Sequence, residues 1–358
     1  MKEKVVVAMS GGVDSSVAAA LIAESGCEAV GVTLKLLARA ETGFGCCGSP
    51  ADVDDARRVC ETLGMPHYVL ELSQLFEDKV IRPFVEAYLS ARTPNPCVEC
   101  NRSLKFGYLL GLAQAWGCAR VATGHYARVA GGRLLRAVDE AKDQTYFLYN
   151  LTPRELSRVA FPVGALTKPQ VREKARALGL KTAEKAESQE ICFVPGRDYR
   201  GFIASRPEAA GAMAPAEGPI QDQSGRELGR HGGLAGYTVG QRKGLGLSGG
   251  EARYVVRLEA ESNTVVVGGA DCALTESFEV ERVSWTAGAA PLRPLRAAVR
   301  IRHRHPPADA LVTPSPDGGA VIRFDAPQRA VAPGQAGVFY DGDVVLGGGT
   351  ISRRRSHE

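Results

Sequence analysis

The chain has 358 residues, of which 44% are hydrophobic and 23% charged, and its formal net charge is only +4. These are ordinary values for a soluble globular protein, and the length predicts two or three domains. No run of about 18 apolar residues is present, so no membrane span is expected. Met1-Lys2-Glu3-Lys4 leads straight into a strand and leaves no room for a signal peptide, so a cytoplasmic location is expected. The nine cysteines are odd in number and irregular in spacing, which argues against a disulfide framework.

The first informative stretch is Ser10-Gly11-Gly12-Val13-Asp14-Ser15-Ser16. Before it, Val5 to Met9 reads as a buried parallel strand. After it, Val17 to Ala23 reads as a helix ending near Gly26, and Ala29 to Leu34 returns as a strand. A glycine-rich turn between strand and helix exposes unpartnered backbone N–H groups at the positive end of the helix dipole. Gly11 and Gly12 allow close approach of an anion, and Ser10, Ser15 and Ser16 add hydroxyl donors. The stretch therefore reads as a phosphate cradle. It is not the common P-loop, because Asp14 stands where a Lys would be needed. An acid beside phosphates suggests Mg²⁺ held between the two. The alternative is an ordinary βα turn with Asp14 and the serines as caps.

Residues 39–50 form a glycine-rich loop carrying Cys46 and Cys47, whose adjacent side chains diverge. Ala51 to Leu63 is helical, His67 to Leu70 is a strand, and Leu75 to Leu89 is a helix with a proline kink. In Arg92-Thr93-Pro94-Asn95-Pro96-Cys97-Val98-Glu99-Cys100-Asn101 the prolines stop regular structure. Asn101 or Ser103 then caps a helix running to Trp116. Cys97 and Cys100 are thus expected in a loop at a helix N-terminus, a setting that favours the thiolate. Arg120 to Thr123 is a strand ending in Gly124-His125-Tyr126, and strand ends of this kind border ligand sites in open α/β sheets. A small hairpin follows, then the polar loop Lys142-Asp143-Gln144. Leu166 to Gly179 is helical. Glu187-Ser188-Gln189-Glu190 leads into a strand-like run, Ile191-Cys192-Phe193-Val194.

Arg206 to Pro219 reads as a linker, after which short apolar runs between turns indicate β structure. The expected organisation is an α/β domain with a parallel sheet (1–205), a linker (206–217), a small β-rich central domain (218–275), a C-terminal β-barrel (276–351) and a disordered tail (352–358) bearing Arg353-Arg354-Arg355. Six arginines and no acid occur from Arg282 to Arg304, a stripe suited to phosphates or to a solvated β surface.

Ser-Gly-Gly-x-Asp-Ser resembles the signature of the N-type ATP pyrophosphatases, which cleave ATP to AMP and pyrophosphate while adenylating a substrate oxygen. Further motifs narrow the likeness. They are Thr93-Pro94-Asn95-Pro96, Cys100-Asn101, Ala122 to Tyr126, Lys142-Asp143-Gln144, Ile191-Cys192-Phe193, Tyr237 to Gly246 and Pro333-Gly334-Gln335. Together they resemble the bacterial tRNA-specific 2-thiouridylase family, MnmA, over about residues 4–350. The resemblance implies a pyrophosphatase domain, a small central domain and a C-terminal barrel, with sulfur inserted at C2 of a tRNA wobble uridine. It implies that Ala8, Met9, Ser10, Gly11, Gly12, Val13, Asp14, Ser15, Leu34 and Gly124 bind ATP with Mg²⁺. Asn95, Pro96 and Cys97 would face the target base. Cys100 would be the nucleophile and Cys192 the persulfide carrier. His125, Lys142, Asp143, Gln144, Arg302, His303 and Gln335 would touch tRNA. The sulfur donor would be sulfide or a persulfide carrier protein.

Three positions depart from the family pattern. Leu34 replaces a methionine, His303 a tyrosine, and Cys97 an aspartate. With Cys97 present, Cys97, Cys100 and Cys192 form a thiolate trio that can hold a [4Fe–4S] cluster with one iron open. The competing readings are a persulfide relay, a zinc site lacking its fourth ligand, and a disulfide formed on oxidation. Two rival functions share some features: a nitrogen-transferring synthetase and a non-catalytic RNA-binding protein.

Overall fold

A computed structural model describes residues 2–37, 48–186, 191–194, 196, 198–211, 217–247 and 251–352. Cys46 and Cys47, Glu187-Ser188-Gln189-Glu190 and Arg353-Arg354-Arg355 lie outside the described residues.

The run Val5-Val6-Val7 forms the centre of a parallel sheet. Strand β1 (Lys4–Ala8) pairs with β2 (Glu28–Lys35), which pairs with β3 (His67–Glu71). On its other side β1 pairs with β4 (Arg120–Ala122). The chain then makes a hairpin of β5 (Arg128–Ala130) and β6 (Arg133–Leu135) before β7 (Val159–Ala160) returns to pair with β4. The strand order is β3-β2-β1-β4-β7. Alternate residues of β1 face opposite sides. Val5 and Val7 pack against α1 (Val13–Glu24) and α2 (Pro50–Thr62), whereas Val6 shares a core with Phe84, Leu104 and Phe106. Both faces are covered, which is why these strands read as unbroken apolar runs.

Two helices on the Val6 side depart from expectation. Ser73–Phe76 and Arg82–Leu89 are α-helical, joined by a π-turn at Glu77–Ile81. Pro83 cannot donate to the carbonyl of Lys79 and its ring crowds that group, so the ladder widens ahead of it. The next helix starts earlier than its prolines suggested. Pro96–Cys100 is α-helical, Asn101–Tyr108 is π-helical and Leu109–Ala115 is α-helical again. Asn95 is the N-cap and Pro96 takes the first helical position, where a missing N–H is harmless. Cys97 and Cys100 therefore lie in the first turn of the helix, not in a preceding loop.

Residues 191–194 are a turn, not a strand. The Val194 N–H donates to the Ile191 carbonyl at 3.0 Å. Phe193 buries edge-on against Phe76 and Phe84, with ring centroids 5.6 and 5.1 Å away, so apolarity here reflects one anchoring ring rather than sheet pairing. Within the expected linker, Pro207–Gly211 is a short helix.

The central module is a sheet of β8 (Gly218–Gln221), β9 (Glu227–His231), β10 (Tyr254–Glu259) and β11 (Thr264–Gly268), in the order β10-β11-β8-β9. Ile220, Val255, Val265 and Val267 fill its core. Beyond it run β12 (Leu274–Trp285), β13 (Leu295–Arg300), β14 (Ala308–Pro314), β15 (Ala320–Arg329), β16 (Ala336–Asp341) and β17 (Val344–Ile351). They follow the order β12-β15-β14-β13-β16-β17, and β12 also pairs with β17, closing an antiparallel barrel. Strand β17 further pairs with β6, placing Val344 opposite Leu135. The β5–β6 hairpin is thereby part of the barrel sheet, and Ala336, Val338 and Tyr340 of β16 belong to the same core as Val6.

Candidate active site

Beyond β1 the chain rises to one flank as β2 and β3, then crosses to the other as β4. The carboxyl ends of β1 and β4 therefore border a topological switch point, the usual place for a ligand in such sheets. A cavity of about 190 Å³ opens there. Ala8, Met9, Ser10, Asp14 and Ser15 form one wall and Val32, Leu34 and Leu36 an apolar one. Thr123, Gly124, His125, Gln144 and Lys105 complete it.

The cradle loop is fixed from three directions. Gly11 has φ +73°, and a Cβ there would sit 2.3 Å from the Asp52 carbonyl oxygen, so the position requires glycine. Inside the loop, the Ser10 N–H donates to Ser15 Oγ at 3.2 Å, and the Ser15 and Ser16 hydroxyls donate to the Gly12 carbonyl at 3.0 and 2.8 Å. Behind it, Lys185 Nζ donates to the Gly11 carbonyl at 3.0 Å and pairs with Asp52 and Asp55, each at 2.6 Å. Gly11 thus backs onto α2, and Val13 is buried in the core.

Asp14 was expected to hold Mg²⁺. Its oxygens instead accept from Lys168 Nζ at 2.7 and 2.8 Å, and one accepts from the Tyr126 hydroxyl at 2.8 Å. A carboxylate already paired with an ammonium does not fit a resident metal. Among the described residues no three His, Cys, Asp or Glu side chains are grouped to hold one. Mg²⁺ accompanying ATP would come on the phosphates, which is its common mode.

Cys97 and Cys100 lie on the helix that brings Lys105 to this cavity. Cys97 is exposed, Cys100 is buried and Cys192 is half-buried. Burial, and then the neighbouring Cys192, push the Cys97 thiol up to about 11, while Lys105 pulls the other way. The expectation of a thiolate favoured by the helix N-terminus is thus reversed at Cys97. The cluster expected on the trio is not shown: among the described residues these side chains form no group able to hold a metal.

His125 is neutral in its pocket. Burial and then Lys105 hold its pKa well below the usual value, and its Nδ1 lies 2.7 Å from the Thr123 hydroxyl. Several expected tRNA contacts have inward-facing roles. The buried Asp143 carboxylate accepts from the Thr145 hydroxyl at 2.9 and 2.8 Å and from Arg300 at 3.2 Å. Gln144 Oε1 accepts from the Tyr126 N–H at 3.0 Å. Gln335 donates to the carbonyls of Thr93 and Pro94 at 3.0 and 3.2 Å, and the Thr93 N–H donates to Pro333 at 2.7 Å. The barrel thus sets the loop that carries Asn95 and Pro96. His303 stacks on Phe147, 4.5 Å between centroids, and Arg302 is exposed. Lys142 is half-buried.

Sequence reasoning missed Lys105, Lys168, Lys185, Asp52 and Arg300. Lys168, Lys185 and Arg300 pair with acids more than 100 residues away, and no local motif marks them.

A phosphate cradle without a P-loop lysine, set at the switch point of a parallel sheet and followed by a β module and a barrel, defines a nucleotide-using domain of the HUP type with appended β domains. Family models match accordingly: a "tRNA methyl transferase HUP domain" over residues 3–196, a "tRNA methyl transferase PRC-barrel domain" over 210–269 and an "Aminomethyltransferase beta-barrel domain" over 275–351. The chain belongs to the tRNA-specific 2-thiouridylase family, MnmA. It is 50% identical to the member from Heliobacterium modesticaldum, covering 99% of this chain and 93% of that one. It is 48% identical to that of Koribacter versatilis, covering 98% and 99%, and 49% identical to that of Chloroflexus aurantiacus, covering 98% of each.

Proposed function

We propose that this enzyme, a tRNA sulfurtransferase by family, adenylates the C2 oxygen of the wobble uridine with ATP and then replaces that oxygen by sulfur. The observation that carries the reading is one continuous cleft. It runs from the cradle to Lys105, on the helix that opens with Cys97 and Cys100, and both Lys105 and Cys192 are near enough to act on Cys97.

The cradle's backbone N–H groups and hydroxyls take the terminal phosphates and stabilise the leaving pyrophosphate. The apolar wall of Val32, Leu34 and Leu36 suits the adenine. A stacked base cannot reach this cleft, so the uridine is flipped toward Asn95 to Cys97, at a cost of about a few kcal/mol that backbone phosphate contacts offset. In the relay, a Cys192 persulfide attacks C2, the C2–O bond breaks, and AMP leaves with the electron pair. Cys100 thiolate then attacks Cys192 Sγ, which frees the 2-thiouridine and leaves a Cys100–Cys192 disulfide for a thiol reductant to reset. No step uses iron. Among the described residues no helix is long and apolar enough to cross a membrane.

The test is nucleoside mass spectrometry of tRNA incubated with enzyme, ATP and a polysulfide that loads Cys192 as the persulfide, alongside pyrophosphate and iron assays. Thiouridine and pyrophosphate are expected in equal amounts from iron-free protein. Pyrophosphate without thiouridine would reject sulfur transfer, and activity that tracks iron content would restore the cluster.

A further inference from the structure

Lys105 has no assigned part in the scheme above. It sits in the π-helical stretch Asn101–Tyr108, in the helix that opens with Cys97 and Cys100. A π-turn re-aims side chains relative to a regular helix and recurs at functional sites. Here Lys105 lines the same cavity as Ser10, Asp14 and Ser15 of the cradle and Gly124 and His125 after β4. Among the described residues lining that cavity it is the cationic one, since His125 is neutral.

We propose that Lys105 is a catalytic residue that grips the α-phosphoryl group of ATP and stays with AMP after pyrophosphate leaves. This rests on the adenylation reading. The cradle anchors one end of the triphosphate and the apolar β2 wall the nucleoside. The phosphoryl group between them faces the wall that carries Lys105. In the first step the uridine O2–Pα bond forms and the Pα–O–Pβ bond breaks. The electron pair departs on pyrophosphate and the N3 proton is released. In the second, the outer sulfur of the Cys192 persulfide attacks, so the C2–S bond forms and C2–O breaks. The electron pair departs on AMP, and the persulfide proton reaches N3 as Cys100 frees the thiouridine. Negative charge builds on the same phosphoryl oxygens in both steps, so one ammonium placed there assists both.

The experiment compares wild type with Lys105→Ala, Lys105→Gln and Lys105→Arg, each checked for an unchanged melting curve. Three quantities are measured: tRNA-dependent pyrophosphate release, and the separate affinities for AMP and for inorganic pyrophosphate. Removing one well-placed donor to a developing charge typically costs about 10²–10³ in kcat. The expected result is a loss of about that size in Lys105→Ala and Lys105→Gln, with partial recovery in Lys105→Arg. AMP affinity should fall at least about tenfold while pyrophosphate affinity is unchanged, because the cradle is intact. A folded Lys105→Gln with wild-type kcat and AMP affinity would overturn the assignment. Equal weakening of AMP and pyrophosphate would also overturn it, by showing a merely structural role. If wild type itself releases no pyrophosphate with tRNA, the adenylation reading fails first.

Discussion

Replacing Gly124 by alanine tests how the cradle is assembled. A Cβ at Gly124 would lie 2.6 Å from the Asp14 carbonyl carbon, 2.6 Å from the Ser15 nitrogen and 2.9 Å from the Asp14 oxygen. All three atoms are backbone at the start of α1, so none can rotate away. The end of β4 must move off the cradle by several tenths of an ångström. Overpacking of this kind costs about 1–3 kcal/mol of stability. The larger effect falls on function, because a shift approaching 1 Å at a site of positioned groups costs on the order of 10²-fold in rate. Pyrophosphate release at saturating tRNA, with ATP varied, is the assay. Gly124→Ala should raise KM for ATP and lower kcat, at a melting temperature only a few degrees down. Gly111→Ala is the control: nothing lies within 4 Å of its Cβ position, it is helical, and alanine there adds helix propensity. Wild-type KM and kcat in Gly124→Ala would refute the claim that contact between β4 and α1 shapes the site.

Arg300→Ala should cost about 3–5 kcal/mol, because it strips a cation from the buried Asp143 carboxylate. Asp143→Ala in the same chain should recover part of that loss in denaturant titrations, and strictly additive losses would show that the pair is not coupled. Arg302→Ala should weaken tRNA binding and lower the salt slope by about one unit, as read by filter binding across ionic strengths; an unchanged slope would place no phosphate there. Burial is the leading cause of the lowered pKa at His67, His125, His231, His303 and His305. The unfolded chain then binds more protons than the folded one below about pH 6.5, so stability is full above that pH and falls as pH drops through it. Melting curves from pH 8 to pH 5 check this, and a flat profile would contradict it.

The α/β core and the cradle were legible because their determinants are local. Gly11 needs a positive φ, and the apolar run before it needs cover on both faces. The barrel announced itself through short runs between turns. The helix start at Pro96 was misread because proline was taken as a breaker, whereas the first helical position tolerates it. The turn at Cys192 was misread because Ile191, Phe193 and Val194 imitate a strand when only one ring needs burial. The π-turn at Asn101–Tyr108 leaves no trace in periodicity, and Lys105 went unnoticed with it. Asp14 and Lys168 are 154 residues apart, Asp52 and Lys185 133, and Asp143 and Arg300 157. Pairs this distant carry no signature in one sequence, so Asp14 read as an open metal ligand and Asp143 as an RNA contact.

The joining of β6 to β17 bears on how this protein can be re-engineered. Arg136 N–H donates to the Asp343 carbonyl at 2.9 Å, Arg128 pairs with Asp343 at 2.8 Å, and the Arg136 guanidinium lies 4.3 Å from the centre of the Tyr340 ring. Severing the chain ahead of β12 would cut a peptide bond but not this seam. A barrel grafted from a relative would meet a foreign hairpin, so a working chimera must import residues 128–136 along with the C-terminal segment. The unit of exchange is discontinuous, and a library that shuffles only at the apparent linkers will sample mostly mismatched seams.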